Sequence, residues 1–112
     1  MFSSGAYDLT KLEDSEGRNE YFGTDRARYK ERSALPGLLT TTTPFMLNAA
    51  ELDPPWMVDQ LNQLKAAMCE SPRGCVRSVV LPKHSHMSES YAINTVDTQL
   101  TSQMLEFVKN GK

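Results

Sequence analysis

The sequence predicts an α/β fold: a short parallel sheet with flanking helices. Three observations carry this. Phe45-Met46-Leu47-Asn48-Ala49-Ala50 is a mostly apolar run bounded by Pro44 and by Asp53-Pro54-Pro55, as suits a strand buried on both faces. Trp56, Met57, Leu61, Leu64, Ala67 and Met68 follow at helical spacing, with Asp59, Gln60, Gln63 and Lys65 between them. Cys75-Val76-Arg77-Ser78-Val79-Val80-Leu81 is β-rich and reads as a second strand.

Taken in chain order, residues 1–43 differ in texture from residues 44–112. Residues 10–34 are polar and charged and hold no sustained period, so they read as loop with short helical pieces. Asp25 to Arg32 suits one brief helix, with Asp25 near its positive end. Ser33-Ala34-Leu35-Pro36-Gly37-Leu38 reads as a turn region. After the strand at 45–50, Pro54 or Pro55 fits the first helical turn, where the missing N–H is no loss. Ser71-Pro72-Arg73-Gly74 stops that helix. Beyond the second strand, Pro82 to Ser90 reads as a polar loop, and Asn94 or Thr95 as the cap of a final helix with Leu100, Met104, Leu105, Phe107 and Val108 on its apolar face. No internal repeat is present.

Composition narrows the function classes. A chain of 112 residues suits one domain, and 39% hydrophobic with 23% charged is ordinary for a globular protein. A net charge of -2 gives no reason to expect nucleic acid or an anionic membrane as partner. No apolar run approaches the roughly 20 residues that span a bilayer. Met1-Phe2-Ser3-Ser4-Gly5 lacks the basic and apolar stretches of a signal peptide, so the expected location is cytoplasmic. Cys69 and Cys75 form no CxxC pair and are read as two reduced thiols, although a disulfide closing the short loop between them is open to an oxidising compartment.

The order strand, helix, strand, helix implies a parallel crossover, which brings the ends of both strands to one rim of the sheet. Leu52 to Pro55 and Pro82 to Ser90 then lie side by side, where open parallel sheets carry their chemistry. The candidate residues there are Asp53, His86 and, as second choice, His84. A histidine near neutral pH takes a proton from a nucleophile best when a carboxylate holds its other nitrogen. Nucleophile, acid, histidine is also the chain order of the α/β-hydrolases. Each residue has a plainer role open to it. Asp53 suits a turn or a helix cap, and His84 and His86 suit a surface loop or a weak two-histidine metal site. Trp56, Met57 and Met68 suit helix core better than a pocket. Glu51 suits either a strand-end surface or a support of the acid loop, and Ser88 and Glu89 suit supports of the histidine loop.

Ala50-Glu51-Leu52-Asp53-Pro54-Pro55, Leu81-Pro82-Lys83-His84-Ser85-His86-Met87-Ser88 and Ala92-Ile93-Asn94-Thr95 resemble the C-terminal third of esterases of the α/β-hydrolase superfamily. The branch they resemble is the carboxylesterase and arylformamidase (kynurenine formamidase-like) one. Ser4-Gly5-Ala6-Tyr7-Asp8-Leu9 and Tyr21-Phe22-Gly23-Thr24-Asp25 are similar to segments that follow the sixth core strand of that branch and enter a cap-like region, so the likeness covers nearly the whole chain. It implies that residues 1–112 are a partial α/β-hydrolase domain, with 1–43 cap-like or connecting and 44–112 carrying the triad acid, Asp53, and the general base, His86.

The chain departs from that branch in one large respect. It has neither Gly-x-Ser-x-Gly nor a His-Gly-Gly oxyanion loop, and Ser3-Ser4-Gly5 makes no elbow, lacking the preceding glycine and a strand before it. The implied function is a C-terminal, truncated portion of a serine hydrolase for small carboxylic esters or arylformamides, inactive alone and needing no cofactor or metal. The rivals are a non-catalytic α/β module and one chain of a split hydrolase. An open apolar strand at 45–50 leads us to expect a homo-oligomer or a complex with the missing N-terminal part.

Overall fold

The computed structural model describes residues 1–111. Its sheet has three parallel strands, β1 (Phe2–Ser3), β2 (Leu47–Ala50) and β3 (Ser78–Leu81), in the order β1-β2-β3. Six α-helices accompany them: α1 (Glu16–Phe22), α2 (Tyr29–Arg32), α3 (Leu35–Thr40), α4 (Pro55–Glu70), α5 (His86–Tyr91) and α6 (Gln99–Asn110). This is an α/β fold with a short parallel sheet and flanking helices.

The register aligns Ser3 with Asn48 and Asn48 with Val79, and Ala50 with Leu81. Because side chains alternate across a strand, Leu47 and Ala49 share one face. There they pack with Leu61, Leu64 and Met68 of α4, Leu38 of α3, Phe45 and Tyr7. Ser3, Asn48 and Ala50 turn to the opposite face, and Asn48 meets Glu89 of α5 there. A satellite cluster of Leu9, Leu12 and Tyr29, with Trp56 and Phe22 against it, docks residues 9–29 on the flank of α4. Trp56 is half-buried: it packs on this cluster and also borders a groove along α4, with the Arg18 guanidinium 4.9 Å above its ring.

α4 begins with Pro55 in its first turn, as the missing N–H allows. Gln60, buried in mid-helix, accepts from the backbone N–H of Tyr7 (2.8 Å) and Asp8 (2.7 Å) and donates to the Asp8 carbonyl (3.0 Å). One side-chain amide therefore clips the segment after β1 onto the helix after β2.

Several expectations are corrected. A two-residue strand, β1, does precede Ser4; it is too short to show a period. Leu35–Thr40 is helical rather than a turn, with Pro36 in the first turn, where it is tolerated. Pro82 to Ser90 is not all loop. α5 starts at His86 because the Ser85 and Ser88 side chains and backbones cap each other reciprocally. The final helix starts at Gln99, not after Asn94 or Thr95, since Asn94 takes a left-handed φ of 63° that no helix accepts. Its apolar face is only partly used: Leu100 is buried, but Leu105 and Val108 are exposed. Cys69 and Cys75 are joined in a disulfide rather than reduced, the turn through Gly74 (φ 79°) carrying Cys75 back to the end of α4. Finally, Phe45–Ala50 is not an open strand. All six residues are buried, because β2 lies between β1 and β3 and because Tyr7, Leu35, Leu38 and Leu39 fold back against it.

Candidate functional site

The two loops that leave β2 and β3 are sewn together by backbone and side chain. Glu51 N–H donates to the Leu81 carbonyl (2.9 Å), and Leu52 N–H donates to the His84 carbonyl (2.9 Å). The Glu51 carboxylate accepts the Lys83 N–H at 2.7 Å. Lys83 sits at φ 63°, an uncommon value for a residue with a Cβ, so this acceptor supports the turn that aims the histidine segment. Glu51 holds the neighbouring loop rather than merely lying at a strand end.

Asp53 closes its own turn. Its N–H donates to the Ala50 carbonyl (3.1 Å), and its Oδ2 accepts the Ala50 N–H at 2.8 Å. The carboxylate side chain is wholly buried. Oδ1 faces His86 Nδ1 at 3.2 Å, as two neighbouring strand ends on one rim allow. The His86 side chain is 49% exposed, and among the described residues its Nε2 makes no hydrogen bond. One ring nitrogen is thus held by a buried carboxylate while the other stays available. With the hydrogen on Nδ1, Nε2 is a proton acceptor.

His84 is elsewhere. Its side chain is 7% exposed, with Nε2 3.1 Å from Asp97 Oδ2 and Nδ1 3.2 Å from Ser88 Oγ. It ties α5 to the turn before α6 and, among the described residues, makes no bond to Asp53. The sequence reads as two histidines alternating in an extended loop; His86 instead opens α5, and the two rings meet different partners.

Two groups have partners that the sequence reading does not anticipate, although Glu89 is expected as a support of the histidine loop. Ser4, immediately after β1, has φ 46° and is buried. Its hydroxyl lies 2.5 Å from Asp53 Oδ2 and 2.8 Å from Glu89 Oε1. Glu89 is 1% exposed and also receives the Ser3 hydroxyl (2.7 Å, on Oε1) and the Asn48 amide (2.8 Å, on Oε2). The signal for Glu89 was its place three residues after His86, which puts both on one side of a helix once the Ser85–Ser88 cap is recognised. Ser4 carried no local signal: its partners are all distant in sequence. Strained backbone at Ser4 and Lys83 brackets the Asp53–His86 pair, a clustering common where geometry is held for function.

Asp53, His86 and Glu89 present three donor atoms within 4.8 Å of one another, a set that could hold a metal ion. Asp53 Oδ2 and Glu89 Oε1, however, already share the Ser4 hydroxyl. The groove lined by Lys11, Arg18, Trp56 and Gln63 lies along α4, and none of the site groups borders it. No helix among the described residues is long and apolar enough to cross a membrane. No protein-family model matches this sequence, and no match is found among curated proteins.

Proposed function

We propose that this chain supplies the acid and the histidine of a serine-hydrolase triad, and that it belongs to the C-terminal part of an α/β-hydrolase acting on carboxylic esters or arylformamides. The observation that carries the reading is the Asp53–His86 contact: a buried carboxylate on Nδ1, with Nε2 unengaged on a half-exposed ring. In the reaction, a serine from outside these residues attacks the substrate carbonyl while His86 Nε2 takes its proton. Asp53 keeps the hydrogen on Nδ1 and stabilises the imidazolium that forms. The proton then passes from Nε2 to the leaving alkoxide or amine, and a water repeats the sequence to release the acid. Ser4 is no rival nucleophile, because its hydroxyl is buried between two carboxyl groups. The resemblance set out above supports the superfamily; the geometry supports the pair of roles.

Turnover of a short-chain activated acyl ester tests this. The 112-residue chain alone should show none above buffer. The protein bearing a nucleophile segment together with this chain should turn over, and Asp53→Asn should cut its kcat by about 10⁴-fold, as in other triads of this type. A burst of product from the chain alone that disappears in Ser4→Ala would overturn the assignment.

A further inference from the structure

We propose that Glu89 is a positioning residue of this site, acting on the Asp53–His86 pair through the hydroxyl of Ser4. The inference rests on the hydrolase reading only for its purpose; its geometry stands without it.

A buried carboxyl group that forms no ion pair with a lysine or arginine among the described residues is an expensive way to fasten a helix, even with the His86 ring within 4.8 Å. Glu89 is 1% exposed, and its hydrogen-bond partners are two serine hydroxyls and one amide. An apolar residue would pack α5 against the sheet at less cost. What an apolar residue lacks is an oxygen facing Ser4. The Ser4 hydroxyl has one hydrogen, which it shares in a three-centre bond between two carboxyl oxygens, on Asp53 and on Glu89. Sharing its hydrogen with Glu89 favours the rotamer in which Ser4 also faces Asp53, and its backbone is fixed by the Ser4 N–H donating to the Asn48 carbonyl at 2.8 Å.

The consequence falls on Asp53. A carboxylate rotates about its last bond in a broad two-fold well, so something must decide which oxygen meets His86. Oδ2 is occupied by Ser4 Oγ and by the Ala50 N–H, which leaves Oδ1 for Nδ1. Glu89 holds Ser4, Ser4 holds Oδ2, and Oδ1 is thereby presented to the ring. Ser3, by contrast, contacts Glu89 and Asn48 but not Asp53. It belongs to the anchorage of α5 and not to the bridge.

The experiment reads where the hydrogen sits on His86, by nitrogen-detected NMR of the intact chain labelled in its histidines. His84→Ala assigns the two rings. In the wild type the Nδ1–H form should predominate. Glu89→Met keeps roughly the length of the side chain and removes the oxygen that faces Ser4. It should lower the ratio of Nδ1–H to Nε2–H roughly fivefold, the order set by one hydrogen bond. Ser4→Ala should do the same, the double variant no more than either alone, and Ser3→Ala should change nothing. If Glu89→Met does not melt cooperatively, Glu89→Asp, which withdraws the carboxyl group by one methylene, serves with the same expectation.

An unchanged ratio on substituting Glu89 overturns the proposal. So does a double variant in which the two losses multiply, since Glu89 would then act independently of Ser4. A wild type carrying its hydrogen on Nε2 would instead sink the Asp53–His86 reading itself, so the two failures are told apart.

Discussion

Tyr7 shows how closely single residues near the site are fitted. Its phenol is buried against the start of the chain, and the hydroxyl has no well-formed hydrogen bond. Burial raises its pKa above the ordinary 10.0, outweighing the backbone of Gly5, which lowers it, and the charge of Glu89 adds to the rise. The unfolded chain therefore loses this proton at lower pH than the folded one. The effect on stability is nil well below pH 10, and stability falls as pH climbs from the unfolded value towards the raised one. Tyr7→Phe should leave stability at neutral pH within about 1 kcal/mol. It should also flatten the alkaline end of a thermal melting profile; an identical alkaline slope would count against the assignment. Gly5 is needed for close approach: a Cβ there would meet the Tyr7 ring at 2.8 Å. Gly5→Ala should lower stability by about 1–3 kcal/mol in denaturant titration, the usual cost of overpacking.

At the scale of elements, what was legible follows from length. α4 spans 16 residues and shows its period openly, and the cores of β2 and β3 stand out as apolar runs. α5 has six residues, none of them forming an apolar stripe, and only its cap betrays it. That cap also sets the direction of His86, the first helical residue. Ser85→Ala should cost about 1 kcal/mol in a chemical melt. It should also broaden the His86 ring resonances more than those of His84, whose ring Asp97 still holds at Nε2. The disulfide was not legible, since pairing depends on a turn geometry that two cysteine positions do not specify. It closes a short loop, so replacing both cysteines by serine should lower stability by no more than about 2–3 kcal/mol. A larger loss would mean that α4 and β3 depend on the link for their docking.

As a whole the protein is a slab of 43 × 33 × 17 Å, thin because a single short sheet lies between helices. The candidate site was half legible in the sequence. Asp53 and His86 announced themselves because one strand–helix–strand unit separates them and topology alone makes them neighbours. Ser4, Asn48 and Glu89 did not, because their meeting depends on β1 pairing with β2 across more than forty residues that include three short helices. The same segment hides β2, so the oligomer expected from an open strand loses the surface it was argued from. Exposed apolar side chains are scattered along the chain, from Phe2 and Tyr21 ahead of β2 to Tyr91, Val96, Leu105 and Val108 after β3.

The central claim is that His86 serves a serine lying outside residues 1–112, and covalent labelling tests it most directly. The protein should be purified from its source through a tag on this chain, then treated with a fluorophosphonate that reacts only with an activated serine. We expect labelling on a serine of another segment or partner, with a rate that falls at least about 10³-fold in His86→Ala and stays near wild type in His84→Ala. Labelling that proceeds unchanged in His86→Ala, or that falls on a serine within this chain, would contradict the account.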